Sequence, residues 1–162
     1  MITLVKRKVI HLYKLIGGNK MNDEVKVEMY SKSENEALAR IVIAAFMARL
    51  NPTLEELSDV KTAVSEAVTN SIVHGYDDEK GKIYLEGKIS GRKLEIKVVD
   101  KGIGIDNIKQ AREPLYTTKP DEERSGMGFT FMEIFMDEVH IESKRNEGTT
   151  VRMIKNIEGG EK

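Results

Sequence analysis

At Gly75 the hydrophobic period of this chain changes from helical to alternating, so the sequence supplies both amphipathic helices and hairpin strands. Before the change, Val60, Val64, Ala67, Val68 and Ile72 recur at helical spacing. Their helix opens near Thr53, where Thr53-x-x-Glu56 has the form of a capping box just after Pro52. After the change, Ile83, Leu85 and Ile89, then Leu94, Ile96 and Val98, alternate with polar residues around a Ser90-Gly91 turn. Upstream, Val25, Val27 and Met29 alternate in a strand that ends at Tyr30. Ser33-x-x-Glu36 then reads as a second capping box, opening a helix with the core stripe Leu38, Ile41, Val42, Ala45 and Phe46 and with Arg40 pointing away. Asn51-Pro52 ends that helix. Downstream, the pattern predicts a short helix around Ile108–Arg112 and an apolar one over Phe129–Met136. A last hairpin follows, Val139–Ser143 and Thr149–Ile157, turning near Asn146-Glu147-Gly148.

Composition removes several classes of function. With 162 residues, 40% hydrophobic, the chain fits one compact domain. Its 26 basic and 27 acidic residues, a net charge of -1, provide no field for a polyanion, so no nucleic acid partner is expected. The absence of cysteine excludes disulfides and thiolate metal sites, and three scattered histidines argue against a histidine cluster. No run approaches the about 20 apolar residues that span a bilayer, and the expectation is a cytoplasmic protein with no membrane partner. Residues 1–20 read differently. Lys6-Arg7-Lys8 lies in a short apolar segment that ends at Gly17-Gly18-Asn19-Lys20, without the core or cleavage site of a signal peptide. A basic amphipathic helix is one alternative. The preferred expectation is a non-native extension: Gly-Gly encoded as GGA-GGN is a ribosome-binding sequence just before the Met21 codon, leaving 21–162 as a single domain.

Glu66, Asn70 and His74 stand at i, i+4 and i+8, one ridge of the helix whose other side is apolar. Such a ridge is either a solvated face or a carboxylate and an amide placed over a ligand, one for proton transfer and one for metal. Its neighbours are small or apolar, which leaves both readings open at this point. Asp100-Lys101-Gly102-Ile103-Gly104 follows a strand, but a third glycine would fall at Asn107, so a dinucleotide fingerprint fails, and the Gly-Lys-Ser/Thr ending of a P-loop is absent. Residues 105–125 are polar and too long for a turn, which suggests a lid. Gly126-Met127-Gly128 opens a helix, where bare N–H groups and the helix dipole suit a phosphate.

The order Glu66-x-x-x-Asn70, Asp100-x-Gly102-x-Gly104, lid, Gly126-x-Gly128 and Gly148-Thr149 resembles the boxes of the GHKL ATPases, over about residues 25 to 157. Ser33-Glu34-Asn35-Glu36, Val64–Asn70, Pro114–Pro120 and Glu123–Phe129 are similar to the sporulation anti-sigma factors of endospore formers. The resemblance implies the GHKL (Bergerat) fold: an α/β two-layer sandwich with a mostly antiparallel sheet, helices on one face, and ATP between helix and lid. It further implies that Asp100 accepts from the adenine amino group beside Thr149, and that Gly102 and Gly104 let backbone approach the nucleotide. Asn70 would ligate Mg2+, while Gly126 and Gly128, in one turn with Ser125 and Met127, would serve the phosphates. Glu66 would be the base acting on a serine of an anti-anti-sigma protein, and Arg124 would steady charge on the γ-phosphate. Arg40 would face the sigma factor, and the assembly would be a homodimer. Several have a bland counterpart: a turn-capping Asp100, a solvated Arg124 and a free surface Arg40; His74 is read as packing or a hydrogen bond near the site. The alternatives are a general-stress kinase of the sigma B type and a nucleotide-gated binding module that transfers nothing.

Overall fold

The computed structural model describes residues 22–76, 80–115 and 126–160; the expected extension over residues 1–20 lies outside them. Strand β1 (Asn22–Tyr30) leads to α1 (Glu34–Met47), a 3-10 turn (Ala48–Leu50) and α2 (Leu54–Asn70). A π-helical turn (Ser71–Gly75) continues α2 before the hairpin β2 (Lys82–Ser90) and β3 (Lys93–Asp100). Short α3 (Ile108–Ala111) and α4 (Gly128–Phe135) precede the hairpin β4 (Glu138–Lys144) and β5 (Gly148–Asn156). The five strands form one antiparallel sheet in the order β1-β2-β3-β5-β4. One face of it meets the helices, as the resemblance implied.

Alternation selects that face. Val25, Ile83, Leu85, Leu94, Ile96, Val98, Val151 and Met153 are buried, against Ile43 and Phe46 of α1, Val60, Val64, Ala67 and Val68 of α2, and Met132 of α4. The opposite sheet face carries Lys26, Glu86, Lys97 and Arg152 in one cross-strand row, with Arg152 bonded to Glu95 at 2.8 Å. Helix α2 starts as its sequence predicts. Thr53 Oγ1 accepts from Glu56 N at 3.1 Å and Glu56 Oε2 accepts from Thr53 N at 2.7 Å, closing the capping box.

Two sequence expectations for α1 are corrected. Ser33 makes no side-chain cap, and Glu36 instead pairs with Arg40 one turn on, at 2.8 Å. The core stripe is Ala39, Ile43, Phe46 and Met47; Ile41 is 65% exposed and Ala45 is exposed as well. The segment Ala37–Met47 is apolar almost all round, so periodicity could not set its phase. The sheet settles it: Ile43 and Phe46 pack over Gly87, whose missing side chain leaves room for both.

Candidate functional site

The site lies where α2 ends. Glu66 and Asn70 occupy its last turns, and α4 packs against α2 so that Gly128 meets both. A methyl group built on Gly128 would stand 3.0 Å from Glu66 Oε2 and 3.2 to 3.3 Å from the Asn70 amide. A side chain at Gly128 would press on the ends of both ridge side chains, so glycine suits this close approach of the first turn of α4, and the N–H groups of that turn have no partner within the helix. The sequence places these residues more than fifty positions apart, and the fold joins them. Gly126 has φ 63 and its carbonyl accepts from Leu115 N at 3.1 Å, with Met127 following as the N-cap of α4. Arg124 and Ser125 lie outside the described residues.

One residue beyond Asn70, the backbone widens into the π-helical turn, a distortion frequent at functional sites. Its Ser71 is buried and donates to Asp100 Oδ2 at 3.0 Å. Asp100, only 3% exposed, accepts on Oδ1 from Gly102 N at 3.0 Å and Thr149 N at 3.3 Å. Burial pushes the Asp100 carboxyl above its ordinary value, and the Gly102, Ser71 and Thr149 donors offset this only in part. Every partner of the carboxylate is a donor, so what it presents to a ligand is spare acceptor capacity on Oδ2. That capacity suits an amino group.

The glycines of this loop admit the protein's own backbone. Any side chain on Gly102 would collide with the Gly75 carbonyl, which accepts from Ile103 N at 2.8 Å. Gly104, at φ 72, abuts the Lys144 carbonyl. Ser143 closes the far wall. Its hydroxyl accepts from Ile105 N at 2.7 Å, donates to Gly148 O at 2.9 Å and lies 2.8 Å from Thr149 Oγ1. Ser71 and Ser143 escape sequence reading. Ser71 has a signal, a polar residue in line with the apolar positions Val64, Ala67 and Val68, whereas Ser143 has none beyond its place on a strand facing Thr149.

The remaining candidates lie near this centre or apart from it. His74 sits in the π turn and is half-buried. Arg40 lines a separate groove with Leu54, Leu57, Lys61 and Ser65. Among the described residues no group of three or more His, Cys, Asp and Glu could hold a metal, and no helix is long and apolar enough to cross a membrane. The Asn70 amide oxygen beside a helix N-terminus suits a hard cation that takes its other ligands from phosphates and water.

The histidine kinase-like ATPase domain family matches residues 29–155. An anti-sigma F factor from Clostridium kluyveri is 57% identical over 134 residues, 83% of this chain and 94% of the relative. Another from Anoxybacillus flavithermus is 54% identical over 138 residues, covering 85% and 94%. Among solved structures, the RsbU and RsbW domains of a Mycobacterium tuberculosis protein superimpose with a TM-score of 0.61 at 19% identity, covering 83% of this chain and 32% of that one. The catalytic domain of histidine kinase ThkA does so with a TM-score of 0.52 at 14% identity, covering 82% and 95%. These two likenesses carry the fold alone. Identity above one half along nearly the whole length of the sequence relatives carries more: the chain belongs to the anti-sigma F factors, within the histidine kinase-like ATPase domains.

Proposed function

We propose that this domain binds ATP with Mg2+, phosphorylates a serine of an anti-anti-sigma protein, and sequesters a sporulation sigma factor. The observation that supports the reading is Gly128 set against Glu66 and Asn70, with a carboxylate, an amide and a helix N-terminus within one side chain's reach. Asn70 would hold the Mg2+ ion, which neutralises phosphate charge when bound, and the first-turn N–H groups of α4 would hold the phosphates. Asp100, steadied by Ser71, Gly102 and Thr149, would accept from the adenine amino group. Glu66 would orient the incoming serine hydroxyl and take its proton. A binding module without catalysis would need no carboxylate at that point. Arg124 would steady the γ-phosphate from the lid, and Arg40, in its groove on α1 and α2, would face the sigma factor, with two copies of the domain forming the assembly.

Glu66→Gln keeps shape and nucleotide contacts and removes the proton acceptor. Phosphoryl transfer to the anti-anti-sigma protein should fall on the order of 10²-fold or more, with ATP affinity unchanged. Transfer at the wild-type rate in that variant would reassign the base, and transfer to threonine or histidine but not serine would correct the acceptor.

A further inference from the structure

Tyr76 follows the π turn and is absorbed by none of the roles above. Its hydroxyl donates to the Lys82 carbonyl at 2.5 Å and accepts from Lys101 N at 2.8 Å, so one proton and one lone pair join the start of β2 to the end of β3. Its ring abuts Gly81, where a side chain would collide with it. Gly81 is in turn held to the end of β1, donating to Ser31 Oγ and accepting from Ser31 N, both at 2.9 Å. Immediately before Tyr76, the Gly75 carbonyl accepts from Ile103 N at 2.8 Å, and a methyl group on Gly75 would stand 3.0 Å from Asp100 Oδ1.

Lys101 is the residue between Asp100 and Gly102, and Gly102 N is itself a donor to the Asp100 carboxylate. Fixing the Lys101 N–H therefore fixes the Asp100–Lys101 peptide, which leads from the carboxylate's own Cα to the Gly102 donor one residue on. Beyond the last paired residue, Asp100, that N–H would otherwise face solvent. Tyr76 holds it from a rigid ring wedged between two strand ends, an arrangement that orders a loop at little entropic cost.

We infer that Tyr76 is a positioning residue for nucleobase selection: its hydroxyl sets the Asp100-Lys101-Gly102 turn so that the free acceptor of Asp100 meets a purine amino group. This rests on the reading that Asp100 recognises the base. The probes are non-hydrolysable ATP and its inosine counterpart, whose base carries a carbonyl where adenine carries the amino donor. Affinities are measured by calorimetry for wild type, Tyr76→Phe and Asp100→Asn. Tyr76→Phe keeps the ring over Gly81 and removes only the hydroxyl, so ATP affinity should fall about 5-fold, the worth of one ordinary hydrogen bond, while inosine affinity holds. The preference for adenine shrinks by that factor. Equal weakening of both nucleotides, or none of either, overturns the proposal, because a hydroxyl that serves only the fold cannot distinguish the two bases. If wild type shows no adenine preference, or Asp100→Asn retains it, the base reading itself fails and takes the proposal with it.

Discussion

Two buried carboxylates mark the two ends of α2, and the fold treats them in opposite ways. Glu56, at the start, receives Thr53 N at 2.7 Å, Glu158 N at 2.6 Å and Gly159 N at 3.2 Å, which clasp the C-terminal segment onto the helix N-terminus. Burial pushes its carboxyl up, but those backbone donors outweigh burial and hold it below its ordinary value. Asp100, just beyond the other end, also has three donors, yet there burial prevails and the carboxyl is raised. The difference lies in solvation and completion. Glu56 has N–H partners on both oxygens and sits by a helix N-terminus, so its charge is spent on structure. On Asp100 a single hydroxyl serves Oδ2, and the deeper, less satisfied carboxylate is the one left able to take a ligand. A buried acid completed by backbone is a fastening; one left incomplete is, on the function proposed above, a recognition group.

The largest effect that would test this contrast is on nucleotide binding. Asp100→Asn preserves size and can still accept from Gly102 and Thr149, but it turns a donor toward the place where an amino group is expected. ATP affinity should fall on the order of 10²-fold while the domain stays folded, because a polar site facing the wrong group loses more than one contact. Calorimetric titration with a non-hydrolysable analogue checks it; a loss under about 3-fold would remove Asp100 from base recognition.

Glu56 should show the reverse. Glu56→Ala opens the capping box and frees the Glu158 and Gly159 amides, at a cost of about 2 kcal/mol in stability. Urea unfolding measures that loss, and ATP affinity should stay at the wild-type value. A stable variant with weakened nucleotide binding would invert the roles assigned to the two ends.

How far each end can be read from sequence follows the same division. The capping box needs only neighbours in the chain, so Thr53 and Glu56 are legible, while the amides of Glu158 and Gly159, brought back from residues a hundred positions on, are not. Asp100, Gly102, Gly126, Gly128 and Thr149 are legible as an order of boxes, but the approach of Gly128 to Glu66 and Asn70 depends on α4 packing against α2, and that of Thr149 to Asp100 on the pairing of β5 with β3. Helix α1 misleads in both ways. Its Ser33-x-x-Glu36 pattern is intact, yet Glu36 is committed to Arg40, and a segment apolar on nearly every side carries no phase of its own. Where a sequence offers two apolar faces, only the sheet decides which one is buried, and Ile41 stays at the surface.

The smallest effect is also the most direct measure of the contrast, because it compares the two carboxylates in one experiment. Glu56 has a lowered folded value, so its contribution to stability is present above the unfolded value, 4.5, and is lost as pH falls through the lower folded one. Asp100 has a raised folded value. Its contribution is complete below the unfolded value, 3.8, and is lost as pH rises through the folded one, where a buried charge must be carried. Urea midpoints from neutral pH down to about pH 3.5 should therefore separate the variants. Relative to wild type, Asp100→Asn should be comparatively most stable near neutrality, losing that advantage as the wild-type carboxyl becomes protonated. Glu56→Gln should be comparatively least stable near neutrality, closing on wild type below pH 4.5. A tenfold change in proton affinity is worth only about 1.4 kcal/mol, so these differences are small and closely spaced pH points are needed to resolve them. Parallel curves for wild type and both variants would mean that the two ends of α2 hold their charges alike, and the distinction between fastening and recognition would then have to rest on geometry alone.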